Sequence, residues 1–161
     1  MGLKKQKKYR GMEMSTIKVS QKEAESLLKM LKKTLVSEIE FPSKRETVEF
    51  EVVGEQKTDV FTIHIYRGKI NRLKYNLGAR ITKNNTMLLE LHIGSSNKHM
   101  NPNGEIVVGN HWHIYTEKYG RSWAYPAEDI QNDRFVENTI AFLDRFNVIE
   151  KPNIYFQYEI I

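Results

Sequence analysis

Apolar residues recur at three- and four-residue steps in two segments, one near each end of the chain. In the first segment, Ser20 and Glu23 have the spacing of a capping box. The apolar stripe that follows predicts a helix over about 21–36, ending before Phe41-Pro42; it consists of Ala24, Leu27, Leu28, Leu31 and Leu35. In the second segment, Asp133 is a candidate cap for a helix with the apolar residues Phe135, Val136, Ile140, Leu143 and Phe146.

Between these helices the apolar period changes to two. Four alternating runs, at 47–52, 61–66, 73–79 and 87–93, are separated by short turns, and a fifth run follows at 111–115. Short turns between alternating runs are typical of an antiparallel meander. We therefore predict an α+β fold with an N-terminal helix, a meander of about five strands and a C-terminal helix packed on the sheet. The segment 154–161 is a further candidate edge strand.

Composition adds few constraints to this picture. Of 161 residues, 40% are apolar and 28% are charged, which is ordinary for a globular domain. The absence of cysteine excludes disulfides and thiolate metal sites. No apolar run is long enough to span a bilayer, and no signal peptide is recognisable. We expect a cytoplasmic protein that does not bind membranes.

The net charge of +5 is concentrated in the first ten residues. This segment contains no acid and five basic residues, so the rest of the chain has 20 basic and 20 acidic residues. We interpret 1–16 as a basic flexible tail and 17–161 as one α+β domain. Such a tail favours polyanions without sequence selectivity. The basic residues that are candidates for binding are Lys4, Lys5, Lys7, Lys8 and Arg10.

Four of the five histidines lie between positions 92 and 113. In a strand, residues two apart share a face, so His111, His113 and Tyr115 are expected to point the same way. Antiparallel pairing of the fourth and fifth strands would add Glu90 and His92 to that face. The intervening loop would bring His99 over it, whereas His64 is interpreted as structural.

Such a cluster has three interpretations. His111 and His113 with a carboxylate are a workable ligand set for a divalent metal, the one cofactor that we consider. Without metal, His92, His111 and His113 suit acid–base cleavage of RNA, with Arg121 neutralising phosphate charge. The third interpretation is a hydrogen-bonded network that only supports the sheet.

Aromatic residues near the cluster have a similar ambiguity. Four of them could stack on nucleobases or fill a pocket: Trp112, Tyr119, Trp123 and Tyr125. With Trp123 and Tyr125, His99 and Tyr115 are the candidate binding residues of this region. Aromatic side chains in a small α+β domain are, however, more often part of its core. The sequence shows no catalytic triad order, phosphate-binding glycine loop or helix-turn-helix pattern.

Four ordered segments carry a resemblance to a known family. They are 99–105 (HMNPNGE), 109–115 (GNHWHIY), 119–120 (YG) and 123–126 (WAYP). Together they resemble the signature of an uncharacterised bacterial domain family of unknown function, which is found in bacterial genomes, phages and other mobile elements. The resemblance covers about 17–155 and implies a shared fold unit, but it implies no activity.

These observations lead to two functional hypotheses. The first is a small interaction protein of a phage or mobile-element setting that acts on nucleic acid or on a nucleic-acid enzyme, for example as an inhibitor of a host defence nuclease. Its partner would be a protein, a nucleic acid or both. The alternative is a histidine-based ribonuclease, the toxin of a toxin–antitoxin pair. In that enzyme His92, His111, His113 and Arg121 would be the catalytic residues.

Overall fold

The computed structural model describes residues 18–43 and 45–157 of the chain. In it, two helices lie on one side of a large sheet. Helix α1 spans Gln21–Lys29 and helix α2 spans Phe135–Arg145. The Ser20 hydroxyl accepts a hydrogen bond from the backbone N–H of Glu23, at 3.1 Å, and caps α1. Helix α2 has Arg134 at its N-cap, with no side-chain cap, so the predicted role of Asp133 is not seen.

The described residues form twelve strands, compared with the predicted five. The largest sheet has eight strands in the order β10-β9-β6-β5-β4-β3-β1-β11, all antiparallel except the pair β1 and β11. The strand bounds are β1 Lys32–Thr34, β2 Glu38–Glu40, β3 Thr47–Val53, β4 Val60–Arg67, β5 Tyr75–Ile81, β6 Met87–Ile93, β7 Lys98–Met100, β8 Ile106–Val108, β9 His111–Ile114, β10 Ala124–Pro126, β11 Val148–Glu150 and β12 Asn153–Tyr155.

The predicted meander is confirmed as the central part of this sheet. Strands β3 to β6 follow one another in space as they do in sequence, each antiparallel to the next. The additional strands are short and lie in segments without an alternating pattern. Two of them, β7 and β8, form a separate hairpin, and β12 pairs in parallel with β2 and overlaps the start of the segment predicted as an edge strand.

The eight-stranded sheet has one apolar face, which we call the core face. One row of residues across it is Val48, Ile65, Leu77, Leu91 and Trp112, given by the strand register. Helix α2 covers this face, since Trp112 stacks on Phe142 with ring centroids 6.2 Å apart. Helix α1 buries Ala24 completely. Burial of these apolar side chains is the main source of stability of the fold.

Helix α1 ends at Lys29 and does not reach Val36, because Lys32 belongs to a strand. The Lys32 ammonium is buried, and it donates to the carbonyl oxygens of Met30 and Phe146, both at 2.8 Å. Its charge also lies 3.9 Å from the centroid of the Phe146 ring. Strand β1 pairs with β3 and β11, and these tertiary contacts override the helical spacing of Leu31 and Leu35, which are both exposed.

The basic residues at 4–10 lie outside the described residues, as does the whole predicted tail of 1–16. No helix in the described ranges has the length and apolar character needed to pass through a bilayer.

Candidate functional site

The second face of the sheet, which we call the polar face, carries histidines and acids in adjacent strands. The register aligns two rows across it. The first row is Glu49, His64, Gly78, Glu90 and His113, and the second is Tyr66, Asn76, His92 and His111. Alternation in β6 and β9 therefore brings Glu90, His92, His111 and His113 to one face, as the sequence pattern predicts for these four.

Three imidazole rings meet where β6 pairs with β9. The ring centroids of His92 and His113 are 4.7 Å apart, those of His111 and His113 are 4.9 Å apart, and those of His92 and His111 are 5.1 Å apart. One ring nitrogen from each residue lies within 4.8 Å of the corresponding nitrogens of the other two. His111 and His113 are buried, and His92 is half-buried.

Backbone carbonyls fix the orientation of two of the rings. His111 Nδ1 lies 2.8 Å from the Gly109 carbonyl oxygen, and His113 Nδ1 lies 3.0 Å from that of Trp123. A carbonyl oxygen can only accept, so Nδ1 carries the hydrogen in both rings. In the neutral imidazole this leaves the Nε2 lone pair free, which is how ligand histidines are commonly held in metal sites.

Glu90 fixes the third ring in the same way. His92 Nε2 lies 3.2 Å from Glu90 Oε1, and the Arg121 guanidinium contacts the same oxygen. Burial disfavours the charged form of Glu90, but the hydrogen bond with His92 and the charge of Arg121 outweigh it, so the pKa of this carboxyl is lowered. The ionised carboxylate accepts from His92 Nε2 and leaves the Nδ1 lone pair free.

A fourth histidine approaches from outside the sheet. His99 lies on the β7–β8 hairpin, and its ring centroid is 4.8 Å from that of His113. Its Nε2 donates to the Ser122 carbonyl oxygen at 2.6 Å. The hairpin is held in place by Asn101, whose side chain donates to Ala124 O at 3.0 Å and accepts from Ala124 N at 2.7 Å. The hairpin thus forms one wall of the cluster.

The electrostatics of the cluster favour neutral imidazoles. Burial lowers the pKa of His113 to about 4, and the neighbouring charge of His92 adds to the effect. Burial also lowers the pKa of His111, more than the hydrogen bond to Gly109 raises it. A metal-free acid–base mechanism needs one imidazole protonated near neutral pH. His111 and His113 are poorly suited to that role, whereas neutral nitrogens are what a metal requires.

The spacing of the nitrogens fits a metal after a small contraction. Tetrahedral coordination with zinc–nitrogen bonds of about 2.05 Å places ligand nitrogens about 3.3 Å apart. The largest separation within the set of three, 4.8 Å, must therefore shorten by about 1.5 Å. Of the three rings, His92 is the most exposed, and a side-chain carboxylate holds it where backbone carbonyls hold His111 and His113.

The remaining predicted site residues lie in different places. Tyr115 is buried in the core and donates to the Val19 carbonyl oxygen at 2.7 Å, away from the expected shared face. Tyr125 pairs with Trp112 in the register and lies towards the core face. Trp123 contributes its carbonyl to His113, and its ring packs edge-on against Tyr119 at 5.8 Å.

The sequence analysis interpreted His64 as structural and did not connect it with the cluster. This residue lies in the same row as Glu90 and His113, so all five histidines of the chain are on or above the polar face. The available signal was the position of His64 in β4, two residues from the exposed Tyr66, which places both on the face opposite to Ile63 and Ile65. The cross-strand partner of His64 could not be assigned without the register.

No curated protein and no solved structure matches the chain. One family matches over residues 19–148, a range that contains both helices, all but one strand of the large sheet in full, and the whole histidine cluster. The chain belongs to this family, described as a family of unknown function, DUF6978.

Proposed function

We propose that this protein is a metal-dependent phosphodiesterase whose divalent ion is held by His92, His111 and His113. The observation that carries the proposal is the convergence of three imidazole nitrogens within 4.8 Å, in rings that each donate one N–H group to a protein acceptor. Imidazole ligands suit zinc and similar transition-metal ions.

The arrangement favours a catalytic centre over a purely structural one. Structural zinc sites usually have four protein ligands, whereas catalytic sites have three and leave one position for water or substrate. Here three nitrogens converge and a fourth histidine, His99, stands at the wall. An ion bound there would lower the pKa of a coordinated water and polarise a phosphoryl oxygen.

Arg121 supports a phosphodiester as the substrate class. Its guanidinium contacts the buried Glu90 carboxylate, yet 58% of its side chain remains exposed at the mouth of the cluster. Part of its fork of N–H donors is therefore available to phosphate oxygens. Lys98, the neighbour of His99 in β7, is exposed as well. Cations around a metal centre favour an anionic substrate.

The histidine-based ribonuclease predicted from the sequence thus becomes the favoured alternative, with a metal in the centre. The interaction protein that acts on nucleic acid or inhibits a host defence nuclease stays a prediction. Its chief motivation was the basic segment at positions 4–10, which lies outside the described residues. The phage, toxin and cytoplasmic settings also stay predictions, because they concern the biology around the site and not its geometry.

The test measures metal binding and cleavage on the same preparations. The protein is stripped with a chelator, reloaded with zinc or cobalt, and assayed for bound metal and for cleavage of single-stranded RNA. We expect one ion per chain and metal-dependent cleavage, both lost in the His111→Ala/His113→Ala double variant. Tyr66→Leu, which changes an exposed residue elsewhere on the polar face, serves as the control. Wild-type protein that binds no ion at micromolar concentration would refute the proposal.

A further inference from the structure

Two buried polar atoms on the polar face have no hydrogen-bond partner among the described residues. They are His64 Nδ1 and Glu90 Oε2. Glu90 is only 2% exposed, so solvent outside the protein cannot satisfy its second oxygen. Leaving such a group unpaired costs about 1–3 kcal/mol, and most buried polar groups in native proteins do have a partner.

The strand register places these two residues on either side of one glycine. His64 pairs with Gly78, and Gly78 pairs with Glu90. With strands about 4.8 Å apart, the Cα atoms of His64 and Glu90 are separated by roughly 9.6 Å. Both side chains rise from the same face, and the middle strand β5 presents no side chain between them.

The His64 ring lies directly on Gly78. A Cβ atom added at Gly78 would be 2.1 Å from His64 Cε1, 2.7 Å from Nε2 and 2.9 Å from Nδ1. Any side chain at this position would therefore collide with the imidazole. The glycine allows the ring to reach across β5 towards Glu90, which explains why a glycine is found in the interior of a central strand.

His64 can supply a hydrogen-bond donor, and Glu90 can supply an acceptor. Burial lowers the pKa of His64, and the charge of Arg80 adds to this, so the ring is neutral with one N–H donor. Glu90 Oε1 is engaged by His92 and Arg121, which leaves Oε2 as an acceptor. The two atoms do not bond directly, and polar groups separated in this way are commonly joined by one ordered water molecule.

We propose that His64 is a positioning residue for the metal centre: through one shared water molecule its Nδ1–H holds Glu90 Oε2, and Glu90 in turn orients His92. This inference rests on the proposed metal function. In this arrangement Glu90 orients the proposed ligand His92, and His64, two strands away, orients Glu90. Partners that orient metal ligands commonly change metal affinity by 10–100-fold when they are removed.

The test compares two replacements of His64 by titrating zinc against a chelating indicator. We expect His64→Leu to bind zinc about tenfold more weakly, because Glu90 and His92 lose orientation. His64→Gln, which retains a donor, should stay within about threefold of the wild type. Tyr66→Leu on the same strand and face should not change the affinity. Equal zinc affinity for His64→Leu and wild type would overturn the inference.

A second variant separates positioning from general damage to the fold. Gly78→Ala should displace the His64 ring and weaken zinc binding as much as His64→Leu does, and the double variant should be no worse than either. The cobalt absorption spectrum should change in all three, because the geometry of His92 changes. Additive losses would contradict the inference. If wild-type protein binds no zinc, the proposed function itself fails; if it binds zinc and the His64 variants match it, only the role of His64 fails.

Discussion

The two faces of the eight-stranded sheet are built by alternate residues of the same strands, yet the reason why residues are buried differs between them. On the core face, Leu91 is fully buried between Leu77 and Trp112, and burial alone accounts for its identity. Each such side chain contributes about 1.5–3 kcal/mol. On the polar face, Glu90, His111 and His113 are almost as deeply buried, at 2%, 3% and 4% exposure.

Burial of these polar groups opposes folding unless hydrogen bonds compensate it. Carbonyls satisfy one nitrogen of His111 and one of His113, but one Glu90 oxygen has no partner among the residues described. An apolar replacement of similar size would serve stability better. The difference between the two faces shows that the extent to which a side chain is buried does not by itself tell whether the residue stabilises the fold or belongs to a functional site. The polar face is better explained by the chemistry that its nitrogens can perform.

The largest effect is expected from removing one converging imidazole. His113→Ala takes away a proposed ligand, so zinc affinity should fall by at least about a thousandfold. The free energy of unfolding of the metal-free protein should change by less than about 1.5 kcal/mol, since no large apolar group is lost. Zinc titration and urea unfolding measure the two quantities. A zinc affinity within tenfold of the wild type would exclude His113 as a ligand.

The core face should respond in the opposite manner. Leu91→Ala, between Glu90 and His92 in sequence but on the other side of the sheet, should lower the free energy of unfolding by about 2–5 kcal/mol. Zinc affinity of the folded protein should stay within about threefold, because the polar face keeps its contacts. Urea unfolding and zinc titration below the transition test this. Large losses in both measurements would show that the two faces are coupled.

A smaller effect is expected from a change that removes the partner of a proposed ligand and leaves the ligand itself in place. Glu90→Gln removes the charge that holds His92 and Arg121 while keeping the size of the side chain. Zinc affinity should fall about 10–100-fold, as for other groups that orient metal ligands. Glu49→Gln is the matched control, since Glu49 lies at the other end of the same row and is exposed. Equal losses in the two variants would indicate a general electrostatic effect and not orientation.

The smallest effect concerns Lys32, a buried charge outside the polar face. Burial lowers its pKa from 10.5 to about 7. In that interval the unfolded chain binds more protons than the folded chain, so the free energy of unfolding should rise with pH. The slope should not exceed about 1.4 kcal/mol per pH unit, and the carbonyls of Met30 and Phe146 reduce it by favouring the ammonium.

This dependence is best measured between about pH 7 and 9.5, because burial raises the pKa of Tyr75 and its ionisation favours unfolding at higher pH. Urea unfolding at several pH values, for wild type and Lys32→Met, gives the slopes. The variant should lose the rise that the wild type shows. A wild-type slope of zero would mean that the hydrogen bonds and the Phe146 ring fully offset the cost of burying the charge.

The sequence predicted well those elements whose burial follows a local period. The strands β3 to β6 alternate cleanly and form the expected meander, and the second helix lies where its apolar spacing indicates. The failure at Leu31 and Leu35 has a physical cause. Their spacing is helical, but pairing of β1 with β3 and β11 stabilises the fold more than about two further helical turns would. A local pattern cannot indicate a strand partner as distant as Val148.

The candidate site was likewise predictable only where its residues are close in the chain. His92, His111 and His113 could be grouped from the sequence because β6 and β9 are close in the chain and alternate regularly. The proposed role of His64 depends on two register pairs, His64 with Gly78 and Gly78 with Glu90. A shift of one residue in the register would turn these side chains to the other face. The carbonyl partners of the imidazoles, at Gly109 and Trp123, have no sequence signature.

The parallel pairing of β1 with β11 has a consequence for the order of folding. The meander and the histidine cluster use residues 47–124, which can associate as soon as that part of the chain is made. Strand β1 can pair with β3 along one edge, but its other edge must wait for Val148, and Lys32 must wait for the end of α2 to supply the Phe146 carbonyl. Closing so long a loop is entropically slow. During synthesis the docking of the earliest strand should therefore be completed late, after the proposed metal ligands have already met.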